Sequence, residues 1–78
     1  MEKSFSLGEK LRKLRSERDI SQRDLARLAG LSPNSISLIE RDETSPSVAT
    51  LQSLAGALNI RMSYFFEEES SSSVLHIK

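Results

Sequence analysis

The side chains able to do chemistry gather between residues 22 and 44. Gln22 and Arg23 stand side by side. Ser32, Pro33, Asn34, Ser35, Ser37 and Leu38 follow, then Arg41 and Thr44. Amides, guanidinium groups and hydroxyls exchange hydrogen bonds with phosphates and base edges. Bond breaking would need a base positioned beside a nucleophile, and the one histidine, His76, lies in the C-terminal tail. The chain has no cysteine, so disulfides and thiolate metal sites are excluded, and a single histidine supplies no ligand set. Gly8, Gly30 and Gly56 are isolated, so no glycine loop cradles a nucleotide. These residues point to a binding protein with no cofactor and no metal, and not to an enzyme.

Such side chains need short helices to present them. Residues 22 to 29 and 33 to 40 have the spacing for two, joined by a tight turn at Gly30. Ser21 and Ser32 are placed as N-caps, and Pro33 takes the first helical position that proline favours. Gly30 follows the last periodic residue, where a left-handed conformation is cheap for glycine. Leu25, Leu28 and Ala29 are expected to face inward from the first of these helices, and Ile36 and Ile39 from the second. Two helices joined this way, the second showing small polar side chains, form a helix-turn-helix, whose second helix fits the DNA major groove.

Three further elements must hold that pair. A first helix is expected over residues 6–18, with Ser6 and Glu9 as a capping box and Leu7, Leu11 and Leu14 as its buried stripe. Lys10, Arg12, Lys13 and Arg18 lie off that stripe. A polar loop over residues 41–46 leads to Ser47, the cap of a helix over residues 48–58 with Val48, Leu51, Leu54, Ala55 and Leu58 inward. Ile60, Met62, Phe65 and Phe66 read as a short fifth helix closing the core, with Tyr64 pointing out. The expected fold is therefore all-α, in one domain over residues 1–66. At residue 67 the composition turns acidic and then serine-rich. Residues 67–78 are a linker or tail. The segment from Val74 to Lys78 is either a frayed end or the start of a second domain.

With 78 residues there is room for one core. No apolar run approaches the roughly 20 residues needed to span a bilayer, and the N-terminus lacks the apolar core of a signal peptide. These features fit a cytoplasmic, reducing setting. Net charge is zero, but residues 1–41 hold nine Lys/Arg against six Asp/Glu, and residues 42–78 hold two against five. The basic excess falls in the half that carries the helix-turn-helix, a hint of an electrostatic face.

Residues 7–66 resemble the lambda repressor and Cro type of helix-turn-helix, the xenobiotic-response-element family. The likeness runs through Leu11-Arg12-Lys13-Leu14-Arg15, Ser21-Gln22-Arg23-Asp24-Leu25-Ala26, Gly30-Leu31-Ser32 and Ile36-Ser37-Leu38-Ile39-Glu40-Arg41. It continues through Pro46-Ser47, Leu51, Leu54-Ala55, Leu58-Asn59-Ile60 and Phe65-Phe66. The resemblance implies a compact five-helix domain that binds operator DNA, usually as a two-fold dimer. It also implies a phosphate contact for Gln22 and a buried salt bridge between Arg15 and Glu40.

On the outward face of the second helix, Asn34 is suited to adenine, whose paired donor and acceptor it matches. Ser32, Ser35 and Ser37 can donate to bases or phosphates. Pro33 and Leu38 can pack only on a thymine methyl or a sugar. Arg23, Arg41 and Thr44 are candidates for the phosphate backbone. That face carries no Gln or Arg, so strong guanine reading is not expected. The expectation is a transcriptional regulator, most simply a repressor, on a palindromic double-stranded operator as a homodimer. A second reading is a protein-interaction module of the same fold, such as an antitoxin or bridging domain. A third adds a domain after the linker, a small barrel of the cupin kind, which would take a small-molecule effector.

Overall fold

Every α-helix begins at a serine and ends at a left-handed residue in the computed structural model, which describes residues 6–67. Helix α1 (Leu7–Glu17), α2 (Gln22–Ala29), α3 (Pro33–Glu40) and α4 (Val48–Leu58) start after Ser6, Ser21, Ser32 and Ser47. Each serine hydroxyl accepts a hydrogen bond from the backbone N–H three residues on, occupying a donor that the helix itself leaves open. At the other ends, Asp19, Gly30, Asp42 and Asn59 have φ between 56° and 73°. The next N–H reaches back five residues in each case: Ile20 to the Arg15 carbonyl, Leu31 to Ala26, Glu43 to Leu38 and Ile60 to Ala55. Those bonds are Schellman closures. Ile20, Leu31 and Ile60 then pack on the core. Cap and closure alternate four times, so the chain turns sharply within three to seven residues and stacks short helices around one centre.

That centre is Leu11, Leu25, Ile36, Leu54 and Leu58, each almost fully buried, with Leu14, Ile39, Leu51 and Phe65 around them. A buried aliphatic side chain of this size contributes roughly 1.5–3 kcal/mol. Helix α2 packs on α3 and α4, and α1 on α3. Where α1 meets α3 the backbones nearly touch. A methyl group built on Gly8 would lie 2.5 Å from the Ile39 carbonyl oxygen and 2.6 Å from that of Glu40. Asp42 fastens the same corner, its carboxylate accepting from the Ser6 hydroxyl at 2.8 Å and from the Gly8 N–H at 3.1 Å. No helix among the described residues is long and apolar enough to cross a membrane.

The fifth element departs from expectation. Met62–Phe66 is a 3-10 helix. With three residues per turn, Met62 and Phe65 share a side and Phe66 shares one with Ser63. Phe65 is therefore buried while Phe66, expected in the core, is exposed. Tyr64, expected outside, packs against the core, its ring and that of Phe65 in a T-shaped arrangement. Two other inward assignments are corrected. The buried centre of α2 runs through Leu25, Ala26 and Ala29, about 100° around the helix from Leu28, and Leu28 is 59% exposed. Val48 is the first residue of α4, ahead of the stripe that begins at Leu51, and is 63% exposed. The tail assigned to residues 67–78 lies, from residue 68 on, outside the described residues, and His76 with it.

Lys10 is the largest surprise. Placed off the buried stripe of α1, it is itself buried. Its ammonium donates to the carbonyls of Tyr64 at 3.2 Å and Phe65 at 3.4 Å, and to that of Glu67, and it sits 5.5 Å from the centre of the Tyr64 ring. The cation thus closes the C-terminal end of the 3-10 helix, where carbonyl dipoles converge.

Gly8→Ala is expected to lower stability by about 2 kcal/mol or more, because the added methyl meets backbone that cannot give way. Lys10→Met keeps the stem and removes the donors, and should cost about 1.5–3 kcal/mol. Denaturant unfolding of both variants checks these values; an unchanged midpoint for Gly8→Ala contradicts the close approach.

Candidate nucleic-acid interface

The turn between α2 and α3 takes two residues beyond Gly30. Gly30 has φ 73°, a conformation that a side chain would strain. Ser32 then caps α3 and Pro33 opens it. With Ile36 and Ile39 buried, the rest of α3 is turned outward. Ser32, Pro33 and Asn34 are exposed, and Ser35, Ser37 and Leu38 are half-buried along the flanks. The hydroxyls of Ser32 and Ser35 lie 3.0 Å apart, and Ser32 also accepts from the Ser35 N–H at 3.1 Å. Asn34 has no hydrogen-bond partner among the described residues, so its amide is the free bidentate group of this face. The carbonyl of Ser37 accepts from Arg41 Nε at 3.4 Å.

What holds α3 at its angle is Glu40, the last residue of the helix, with a side chain only 4% exposed. Arg15 of α1 meets it through two parallel bonds, Nε to Oε2 at 2.8 Å and Nη2 to Oε1 at 3.1 Å. Its remaining nitrogen, Nη1, donates to the Ile20 carbonyl at 3.0 Å. Gln22 Nε2, from the first residue of α2, donates to Glu40 Oε1 at 3.0 Å. One carboxylate thus ties α3 to α1 and α2, and through Arg15 to the α1–α2 turn. Hydrogen bonding to Glu40 holds the Arg15 guanidinium above its ordinary pKa, so it stays charged. The pair expected between Arg15 and Glu40 is present. The bond from Gln22 was not expected; glutamine at the start of α2 gave no sign of its partner eighteen residues on.

Around this clasp the basic residues divide in two. Lys10 closes the 3-10 helix. Arg18 donates to the Leu58 carbonyl at the end of α4, at 3.1 Å, and to that of Leu14. With Arg15, three of the nine cations in residues 1–41 serve the interior. Near α2 and α3, Arg23 is exposed with no partner among the described residues. Arg27 pairs with Asp24 at 3.0 Å, and Arg41 stands 3.7 Å from Glu43. Thr44 is exposed in the loop after α3. The charge asymmetry of the sequence is therefore weaker as a surface than as a count. Among the described residues no group of three or more His, Cys, Asp or Glu side chains could hold a metal.

Two helices around a glycine-ended turn, the second braced from behind and carrying small polar groups in front, define a helix-turn-helix domain. Comparison with known proteins agrees. Residues 11–65 match the family model for the helix-turn-helix, HTH_3. The chain is 41% identical over 61 residues to the HTH-type transcriptional regulator PuuR of Escherichia coli K12, covering 78% of this chain and 33% of that protein. It is 40% identical over 66 residues to the immunity repressor protein of Bacillus phage phi105, covering 85% and 46%. The P22 c2 repressor, crystallised with the synthetic operator 9T, superposes with a TM-score of 0.75 at 34% identity, covering 80% of this chain and 94% of that one. The chain belongs to this helix-turn-helix family, and its all-α, lambda-repressor-like fold is that of the phage repressor domain. It spans about a third to a half of the length of PuuR and the phi105 repressor.

Arg15→Ala would leave the Glu40 carboxylate buried without its cation, at a cost of about 3–5 kcal/mol; an unchanged thermal midpoint would show the pair to be idle. Asp24 gives a pH test. Hydrogen bonds from the Ser21 backbone N–H and hydroxyl, then from Arg27, hold its carboxyl below the usual carboxylate pKa. A group depressed on folding stabilises fully above its unfolded pKa, about 3.9, and that support is lost as pH falls through the lower folded value. NMR titration of Asp24 should show a midpoint below 3.9, and the α2 cap of Asp24→Asn should be insensitive to pH in that range.

Proposed function

We propose that this domain binds double-stranded DNA sequence-specifically, placing α3 in the major groove as part of a transcriptional regulator. The observation that carries the reading is the pose of α3. Its outer face is small, it offers one free amide at Asn34, and its buried end is fixed by three side-chain bonds at Glu40. A likeness to the P22 c2 repressor in its operator complex supports the same use of the fold. Asn34 reads adenine; Ser32, Ser35 and Ser37 donate to base edges or phosphates; Pro33 and Leu38 supply apolar contact. Gln22, Arg23, Arg41 and Thr44 hold the backbone strands. The second hydrogen of Gln22 Nε2 is available to a phosphate while the first stays on Glu40.

The domain acts as a homodimer on a palindromic operator, its two recognition helices one turn of B-DNA apart, about 34 Å. Its outcome is repression by occupancy, in the cytoplasm where the chromosome lies, and its class is a DNA-binding regulator and not an enzyme. Residues 1–66 form the DNA-binding unit and 67–78 the linker or tail. A small-molecule effector enters only through a further domain.

Selection from a random duplex pool should enrich a two-fold symmetric site. Asn34→Ala should weaken that site by about tenfold or more while leaving random duplex unchanged; equal weakening of both means that Asn34 does not read a base. Salt gives a second test. Three cations per protomer lie near α2 and α3, so a dimer neutralises about six phosphates, and log K should fall against log salt with a slope of about −5 or shallower. Binding that enriches nothing and vanishes in salt would favour the protein-interaction reading.

A further inference from the structure

We infer that the domain reads one thymidine per half-site through a pocket on the flank of α3, with Leu38 as the specificity-determining residue. This rests on the DNA-binding reading above. The pocket, about 250 Å³, lies between α3 and the start of α4. Leu31, Leu38 and Pro46 give it an apolar wall, and Ser35, Thr44 and Ser45 contribute hydroxyls. It is continuous with the proposed interface, because Ser35 and Leu38 belong to the recognition helix and Thr44 to the loop beside it.

Its chemistry selects the occupant. No charged side chain lines it, so neither a phosphate nor a guanine edge finds a strong partner there. The apolar groups that duplex DNA presents to a helix in the major groove are the C5-methyl of thymine and the deoxyribose beside it. A pocket of this volume holds the methyl together with part of that sugar. Leu38 is half-buried, so its side chain is already restricted and loses little freedom on contact. Thr44 and Ser45 are exposed at the rim, with hydroxyls free to donate to the phosphate of the seated nucleotide.

The test replaces each thymidine of the selected site, one at a time, by deoxyuridine, which lacks only the methyl. With the unmodified protein, one position per half-site should lose about fourfold in affinity, the equivalent of one buried methyl at about 0.8 kcal/mol. Leu38→Ala, checked for folding by circular dichroism, should bind the two duplexes equally. Leu28→Ala, at an exposed apolar residue of α2 outside both the pocket and the proposed interface, should keep the full fourfold difference, which separates Leu38 from a general loss of apolar surface and does not depend on the Leu38 variant folding. If selection enriches no site, the DNA-binding reading fails. If it enriches a site with no deoxyuridine-sensitive position, or if the loss persists in Leu38→Ala or disappears in Leu28→Ala, that reading stands and the pocket assignment is overturned.

Discussion

Glu40 ends α3 with a carboxylate almost wholly out of water, and a charge in that position is tolerated only where partners surround it. Arg15 supplies two bonds and Gln22 a third, and each comes from a different element. The arrangement leaves α3 little freedom to roll or slide. Rolling would pull Glu40 from the planar fork of Arg15, and sliding would break its bond to α2. Apolar packing of Ile36 and Ile39 fixes how close the helix lies, but hydrophobic contact is not directional. The clasp adds direction. It specifies which residues of α3 face away from the body, and so which of them the proposed reading surface of Asn34 and its neighbours can use.

A second theme is the use of cations at carbonyl ends. Lys10 closes the 3-10 helix, Arg18 the end of α4, and Arg15 the turn at Ile20. All three lie on α1 or at its C-cap, so this element braces the far ends of the domain as well as α3. In a core this small, such bonds offset the short helices' open carbonyls, which water would otherwise have to satisfy. At Lys10 the bonds also take a charge off the surface. The domain is left with few cations near α2 and α3, so the proposed binding rests more on shape, amide and apolar contact than on attraction for phosphate.

The serine caps, Gly30, Pro33 and the leucine and isoleucine stripes were legible because each is a local rule: a cap, a turn or a period can be read within a few residues. Helix bounds followed from them. The 3-10 geometry of residues 62–66 was not legible, since five residues satisfy either helical period and only packing against α1 and α4 decides. Leu28, Val48 and Phe66 were placed inside because they are apolar, yet Leu28 and Phe66 turn away from the buried side of their helices and Val48 lies ahead of its stripe. The roles of Lys10 and Arg18 were not legible, because their acceptors are backbone carbonyls that no residue type announces. Asp19, Asp42 and Asn59 carried a usable sign: Asp and Asn tolerate the left-handed conformation better than most residues, and each directly follows a helix or its last turn. Of the candidate site, the outward set on α3 was legible from its period, as was the Arg15–Glu40 pair through family resemblance. The Gln22 bond and the pocket beside Leu38 depend on tertiary placement alone.

The central claim is that the clasp poses α3 for reading, beyond any effect on stability. Replacing both charges at once, as Arg15→Met with Glu40→Leu, removes the directional bonds without stranding a charge, a change that a folded core often tolerates. The decisive measurement is the ratio of affinities for the selected site and for random duplex, in this double variant and in the unmodified protein, with folding checked by thermal melting. The account predicts a folded protein whose ratio falls at least tenfold while random binding persists. A folded double variant that discriminates as well as the original would contradict it.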